Sequence, residues 1–123
     1  MTFEEKTLKS ERIYEGHIIN LRRDEVTVQN GTSMREIVEH NGGAVLAAVT
    51  DEAKLVMVRQ YRKAAKRVML EVPAGKIDPG ESAETTAKRE LKEETGYTPK
   101  HVRFLMQFFP SVGYSEEILY LYL

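Results

Sequence analysis

The chain of 123 residues contains no cysteine and no tryptophan. Without a thiol there is no disulfide framework, no thiolate zinc site and no cysteine nucleophile. Its three histidines, His17, His40 and His101, are too far apart to form a ligand pair at helical spacing, and read as structural or exposed. Neither sign of charge dominates. Lys plus Arg number 18 against 19 Asp plus Glu, a formal net charge of −1. That balance speaks against broad nucleic-acid binding, which needs a basic face to exchange counterions with phosphates. An anionic ligand would have to be handled by a local site. Long apolar runs are also lacking: none approaches the ~18 residues of a membrane span, so no membrane partner is expected. Met1 to Arg12 is polar and charged, with no apolar stretch leading to a small-residue cleavage site, so the expected compartment is the cytoplasm.

What is present fits one soluble domain of 123 residues, 41% apolar and 30% charged. Asp24 to Val28 and Ser33 to Val38 alternate in polarity around Asn30-Gly31, a pair suited to a tight turn, which predicts an antiparallel hairpin. Gly43 to Val49 and Leu55 to Tyr61 are apolar, strand-like runs joined by the turn-like Thr50-Asp51-Glu52-Ala53. Val68 to Val72 reads as a strand stopped by Pro73, and Ile118 to Leu123 as another. Because that last strand runs into the final residue with no polar tail behind it, a missing C-terminal element is expected. The sheet face it leaves uncovered would call for a partner subunit or make the chain poorly soluble. Phe108, Phe109 and Tyr114 read as core rather than as base-stacking residues.

Between Ser82 and Thr95 the period changes to that of a helix. Ser82 is the expected N-cap, Glu84 places negative charge in the first turn, and Gly96 ends the last. Ala83, Ala87 and Leu91 give a narrow apolar stripe for packing on a sheet. A mixed α/β architecture follows.

The same helix carries the chemistry. Glu90 and Glu94 fall one above the other, about 6 Å apart along the axis, and Glu93 is three residues from Glu90. Like charges at that spacing repel by a few tenths of a kcal/mol per pair, which a cation among them would relieve. Magnesium is the natural choice, being hard, oxygen-seeking and inclined to keep waters that serve substrate phosphates. Before the helix, Pro73-Ala74-Gly75 and Pro79-Gly80 let the backbone come close to an anionic ligand. Arg89, adjacent to Glu90 and one turn from Glu93, is placed to orient a carboxylate rather than to touch substrate. Taken blind, these acids would read as a solvated helix face with Lys88 and Lys92 supplying i,i+4 pairs.

The spacing of the whole string decides otherwise. Gly75, five residues, Glu81, seven residues, Arg89-Glu90, Leu91, any residue, Glu93-Glu94, any residue and Gly96 resembles, position for position, the signature of the Nudix hydrolases. Tyr97 departs from it, standing where the pattern has an aliphatic residue. Outside the box, the Asn30-Gly31 hairpin, Gln60-Tyr61-Arg62, Glu71-Val72-Pro73-Ala74-Gly75 and Gly113 to Glu117 resemble the ADP-ribose pyrophosphatase branch of that family. Val112 departs from the branch, which has proline there.

The resemblance implies a Nudix-like α/β/α sandwich with a mixed sheet, preceded by an N-terminal antiparallel hairpin. In that reading residues 1–40 are N-terminal strands that dimerise and 41–123 the catalytic core. It implies that Glu90 and Glu94 ligate magnesium, with manganese able to substitute, that the Ala74 carbonyl completes the metal shell and that Glu81 supports it. Glu93 assists catalysis. The general base comes from the loop after the box, where Glu117 matches best and Glu116 is second. Arg62, which matches the branch motif, and Arg59 beside it would grip a phosphate or stack on adenine, and Gly75 and Gly113 give substrate its room. The implied activity is magnesium-dependent hydrolysis of a nucleoside diphosphate derivative, ADP-ribose first, by a homodimer. A nucleotide sugar or dinucleotide is the alternative substrate, and a non-catalytic ADP-ribose-binding module the alternative class.

Overall fold

The computed structural model describes residues 3–123. They divide into two compact units. One runs up to His40 and includes Phe109–Glu117; the other comprises Asn41–Phe108 and Ile118–Leu123.

The first unit is a three-stranded antiparallel sheet of β1 (Thr7–Glu15), β2 (Asn20–Val28) and β3 (Gly31–Glu39), in that order. The expected hairpin is there over longer strands, with Val28 opposite Gly31. Gln29 and Asn30 form its turn, and the positive φ of 134° falls on Gly31, a conformation that glycine adopts without a Cβ penalty. Strand β1 lacks the apolar alternation that marks strands in a sequence. It is exposed along its whole length and owes its conformation to pairing with β2, with irregularities between Thr7 and Lys9 and between Arg12 and Tyr14. On β2, Val26 is buried and so is Asp24. A buried carboxylate requires partners, and Asp24 has two: Ser10 Oγ donates at 2.6 Å and Arg22 Nε at 3.0 Å. Those bonds, Ser10's foremost, hold its pKa below the ordinary value against the opposing effect of burial. Residues 109–117 lie along the other edge of β3. The Val38 amide donates to the Tyr114 carbonyl at 2.7 Å, and the Glu116 amide to the Val38 carbonyl at 3.0 Å.

The second unit holds β4 (Gly43–Leu46), β5 (Val58–Arg62), β6 (Arg67–Glu71), β7 (Ala74–Lys76), α1 (Ala83–Thr95), β8 (Phe104–Phe108) and β9 (Leu119–Tyr122). Its main sheet has the order β7-β4-β9-β8, with β4 antiparallel to β7 and parallel to β9. Strands β5 and β6 form a separate hairpin. This is the mixed α/β architecture expected, with a single helix among the described residues. Residues two apart on a strand share a face. Ala44 and Leu46 of β4 accordingly meet Ala87 and Leu91 of α1 and Tyr122 of β9 in one core. Full burial of a leucine such as Leu46 or Leu91 contributes roughly 1.5–3 kcal/mol. The helix ends as its sequence predicts. Ser82 Oγ accepts the Thr85 amide at 3.1 Å. Gly96, at φ 81°, donates its amide to the Lys92 carbonyl at 2.8 Å.

Three expectations need correction. The strand foreseen over Gly43 to Val49 stops at Leu46. Beyond it the chain folds into a narrow turn in which the Thr50 amide donates to Lys54 and the Ala53 amide to Thr50, with Ala53 itself at φ 60°. Strand β5 starts at Val58, and Leu55 makes only a bridge to Val49. Phe108, Phe109 and Tyr114, foreseen as core, are exposed. Among the described residues no helix is long and apolar enough to cross a membrane.

Candidate active site

Arg89 is the hub of the acidic helix. From its place in the middle of α1 it donates Nε to Glu81 Oε2 at 3.0 Å and Nη2 to Glu81 Oε1 at 2.9 Å. Its third nitrogen, Nη1, donates to Glu90 Oε1 at 3.0 Å and to Glu93 Oε2 at 3.3 Å, and Asp78 stands 3.4 Å from Nη2. The planar fork of arginine suits this two-point grip on Glu81. Thr86, fully buried on α1, donates its hydroxyl to Glu81 Oε1 at 2.6 Å. Arg89 first, and then Thr86, hold the Glu81 carboxyl down to about 2. The surrounding carboxylates, Glu81 above all, push the Arg89 guanidinium further into its charged form.

Strand β7, ahead of the helix, comes close to the second acid. A Cβ added at Gly75, on β7, would collide with the Glu90 carboxyl, so only glycine lets the backbone run this near. Ala74, beside it, pairs with Val45 of β4. One turn on from Glu90, the Glu94 carboxyl is pushed above its ordinary pKa by burial of the group, then by the charge and hydrogen bond of Glu90, with Glu71 adding to the effect and Arg62 opposing it. Negative charge is thus in excess there. Arg62 is held by Glu71, with Nε to Oε2 at 2.7 Å and Nη2 to Oε1 at 2.6 Å. Arg59, also on β5, is exposed and forms no ion pair among the described residues.

Glu90 and Glu94 fit a divalent cation: they are hard oxygen donors, one against a bare backbone and the other in a region of excess negative charge. Among the described residues no group of three or more Asp, Glu or His side chains is arranged to hold a metal ion by itself, and Glu81, Glu90 and Glu93 are gathered around Arg89 instead. Magnesium does not require such a cage, since one or two carboxylates with waters and substrate phosphates complete its shell.

The remaining candidates lie in the unit containing β1–β3. Glu116 Oε2 accepts from Arg22 Nη1 at 3.1 Å, and Arg22 also binds Asp24 and Glu39. The Glu117 carboxylate is 3.6 Å from His40 Nδ1, and its amide donates to Ser115 Oγ at 3.2 Å. Gly113 faces open space. Sequence reasoning overlooked Glu71, Asp78 and Thr86. The run of Glu71 into Pro73-Ala74-Gly75 was a usable signal for the first; a threonine on the buried flank of the apolar stripe was one for the last.

Residues 40–123 match the NUDIX domain, and residues 5–38 match the nucleoside diphosphate sugar hydrolase N-terminal domain. The chain is 48% identical over 121 residues to the methanol dehydrogenase activator of Bacillus methanolicus, covering 98% of this chain and 65% of that one. It is 46% identical over 123 residues to the ADP-ribose pyrophosphatase of Bacillus subtilis (strain 168), with coverage of 99% and 66%. It therefore spans about two thirds of the length of these curated relatives. A crystal structure of an ADP compounds hydrolase superposes with a TM-score of 0.85 at 23% identity, over 99% of this chain and 67% of that one, a likeness of fold. With a Nudix match across residues 40–123 and the carboxylates of that match organised on α1, this chain belongs to the Nudix family.

Proposed function

We propose that the chain hydrolyses the pyrophosphate link of ADP-ribose to give AMP and ribose 5-phosphate, with magnesium as the working cation. The observation that carries this reading is the approach of the Gly75 backbone to the Glu90 carboxyl, one helical turn from Glu94. It brings an open stretch of backbone and two acids to one place. Glu90 and Glu94 would hold the cation with the Ala74 carbonyl, while Glu81 acts through Arg89, which fixes Glu90. Magnesium bound there would neutralise the diphosphate and lower the pKa of a water, easing loss of its proton to the general base as it attacks phosphorus. Manganese has the same oxygen preference and substitutes for it. Glu93 assists, Arg62 and Arg59 meet the phosphates, and Gly75 and Gly113 leave room for substrate. Glu117 is the general base in preference to Glu116, because Glu116 is already committed to Arg22. The relative named ADP-ribose pyrophosphatase, at 46% identity, supports the choice of substrate.

The protein works as a cytoplasmic homodimer in this reading. Support comes from β1, an edge strand whose Leu8, Ile13 and Tyr14 are all exposed, since an open strand edge is a template for pairing with another chain. A nucleotide sugar is the second substrate reading, favoured by the match of residues 5–38 to a nucleoside diphosphate sugar hydrolase domain. A panel of ADP-ribose, nucleotide sugars and dinucleotides, assayed for released nucleoside monophosphate with and without magnesium, tests both. Turnover of ADP-ribose only with the metal is the expected result. Binding of ADP-ribose without turnover would replace the enzyme by a binding module.

A further inference from the structure

Arg62 and Glu71 lie at opposite ends of the β5-β6 hairpin. In its register Arg62 faces Arg67, whereas Glu71 faces Val58, four residues further along. Four residues of strand amount to about 13 Å. The guanidinium of Arg62 nevertheless meets the Glu71 carboxylate at 2.6 and 2.7 Å. The two side chains therefore lean toward each other along the face of the hairpin that they share with Gln60 and Met69, and meet between its ends. This draws the Arg62 charge away from the Lys63-Ala64-Ala65-Lys66 turn and toward Glu71, which stands two residues before Pro73-Ala74-Gly75. Gly75, four residues beyond Glu71, abuts the Glu90 carboxyl, so the end of β6 leads directly to the acidic helix. The grip uses Nε and Nη2 only, and Nη1 takes no part in it. Exposure follows the same division: 47% of the Arg62 side chain is open against 24% of that of Glu71. The anchor is covered and the donor is open.

We infer that Glu71 is a positioning residue that folds Arg62 back along the hairpin and presents its Nη1 edge to the diphosphate of the substrate. The inference rests on the function proposed above. An arginine released from Glu71 would sample many rotamers and rarely offer its donors at this place; held in a two-point grip, it is pre-organised for a phosphate.

A double-mutant cycle of Glu71→Gln and Arg62→Ala tests this, read by calorimetric binding of ADP to the metal-free protein and by steady-state kinetics with ADP-ribose. The isosteric Glu71→Gln should weaken ADP binding and raise KM about tenfold, with kcat changed less than about twofold. Arg62→Ala should do at least as much, and the double variant should be no worse than Arg62→Ala alone, because Glu71 acts only through Arg62. Thermal melts that superpose with wild type show that the fold is intact. The inference is overturned if Glu71→Gln binds ADP as wild type does, if the two effects multiply, or if wild type binds no ADP. It is also overturned if Glu71→Gln raises the magnesium requirement at unchanged ADP affinity, which would make Glu71 a metal ligand. If wild type binds ADP but cleaves no nucleoside diphosphate derivative, the proposed activity falls while the binding cycle still decides the role of Glu71.

Discussion

Arg89 grips both carboxylate oxygens of Glu81, at 2.9 and 3.0 Å, across eight residues of chain. The contact ties the turn before α1 to the middle of the helix, and the nitrogen left over, Nη1, fixes Glu90. One guanidinium therefore sets both the entry of the helix and the aim of Glu90, the carboxylate proposed to hold the cation.

Lysine at position 89 would keep the charge and lose the fork, since an ammonium cannot hold Glu81 at two points and still reach Glu90. Arg89→Lys is expected to raise the magnesium concentration for half-maximal activity by about 10- to 100-fold, the usual effect of disturbing a group that orients a ligand. Circular dichroism should show the helix retained. An unchanged magnesium requirement would remove Arg89 from the metal site.

The same pair predicts an acid limb in stability. Glu81 is held at about 2 in the folded chain, below the usual ~4.3 of a free glutamate. Its contribution is therefore fully present above the unfolded value and is lost as pH falls through the folded one. Urea titrations across pH 2 to 5 should show wild type losing more stability than Glu81→Gln over about that interval, the two curves running parallel above it. Parallel curves throughout would mean that Glu81 is not held by Arg89 in solution.

Gly75 offers a test of close approach. Its backbone conformation is open to any residue, for Gly75 is absent from the positive-φ glycines, so the collision with Glu90 is what forbids a side chain. Gly75→Ala should displace the Glu90 carboxyl and cut kcat/KM by about 10- to 100-fold, with the melting temperature within a few degrees of wild type. A fully active Gly75→Ala protein would show that Glu90 has freedom to move without consequence.

How much of this could be read in the sequence depended on whether the signal was local. The caps of α1 at Ser82 and Gly96, the stripe of Ala87 and Leu91, and the β2-β3 hairpin are encoded within a few residues, and all three are present. Strand β1 was not legible, since nine exposed residues have no buried face to impose a period of two. Strand β7 is three residues long and exists through its pairing with β4. The Arg62–Glu71 contact escaped for a related reason: nothing in two residues nine apart says that side chains from opposite ends of a hairpin will reach along its face and meet. The spacing of acids on a helix is local, and so the candidate ligands, and Arg89 beside Glu90 and Glu93, could be named; the grip of Arg89 on Glu81, eight residues away, depends on the folded chain.

Glu94 gives the sharpest separation between function and stability. Glu94 is exposed as a residue, yet its carboxyl is partly desolvated and stands beside Glu90, which together push it above the ordinary pKa. A group of that kind favours the fold below its unfolded pKa, and the advantage is lost as pH rises through the folded value. At neutral pH the charged Glu94 therefore weakens the fold, and Glu94→Gln, which removes the charge at almost constant shape, should melt at the same temperature as wild type or higher. Turnover should move the other way. If Glu94 holds the cation as proposed, loss of its charge forfeits several kcal/mol of transition-state stabilisation, on the order of a thousandfold in rate. Melting curves and magnesium-dependent release of AMP from ADP-ribose, measured on one preparation, check both directions. A variant that melts earlier and still turns over at the wild-type rate would identify Glu94 as a structural acid and leave Glu90 without its partner.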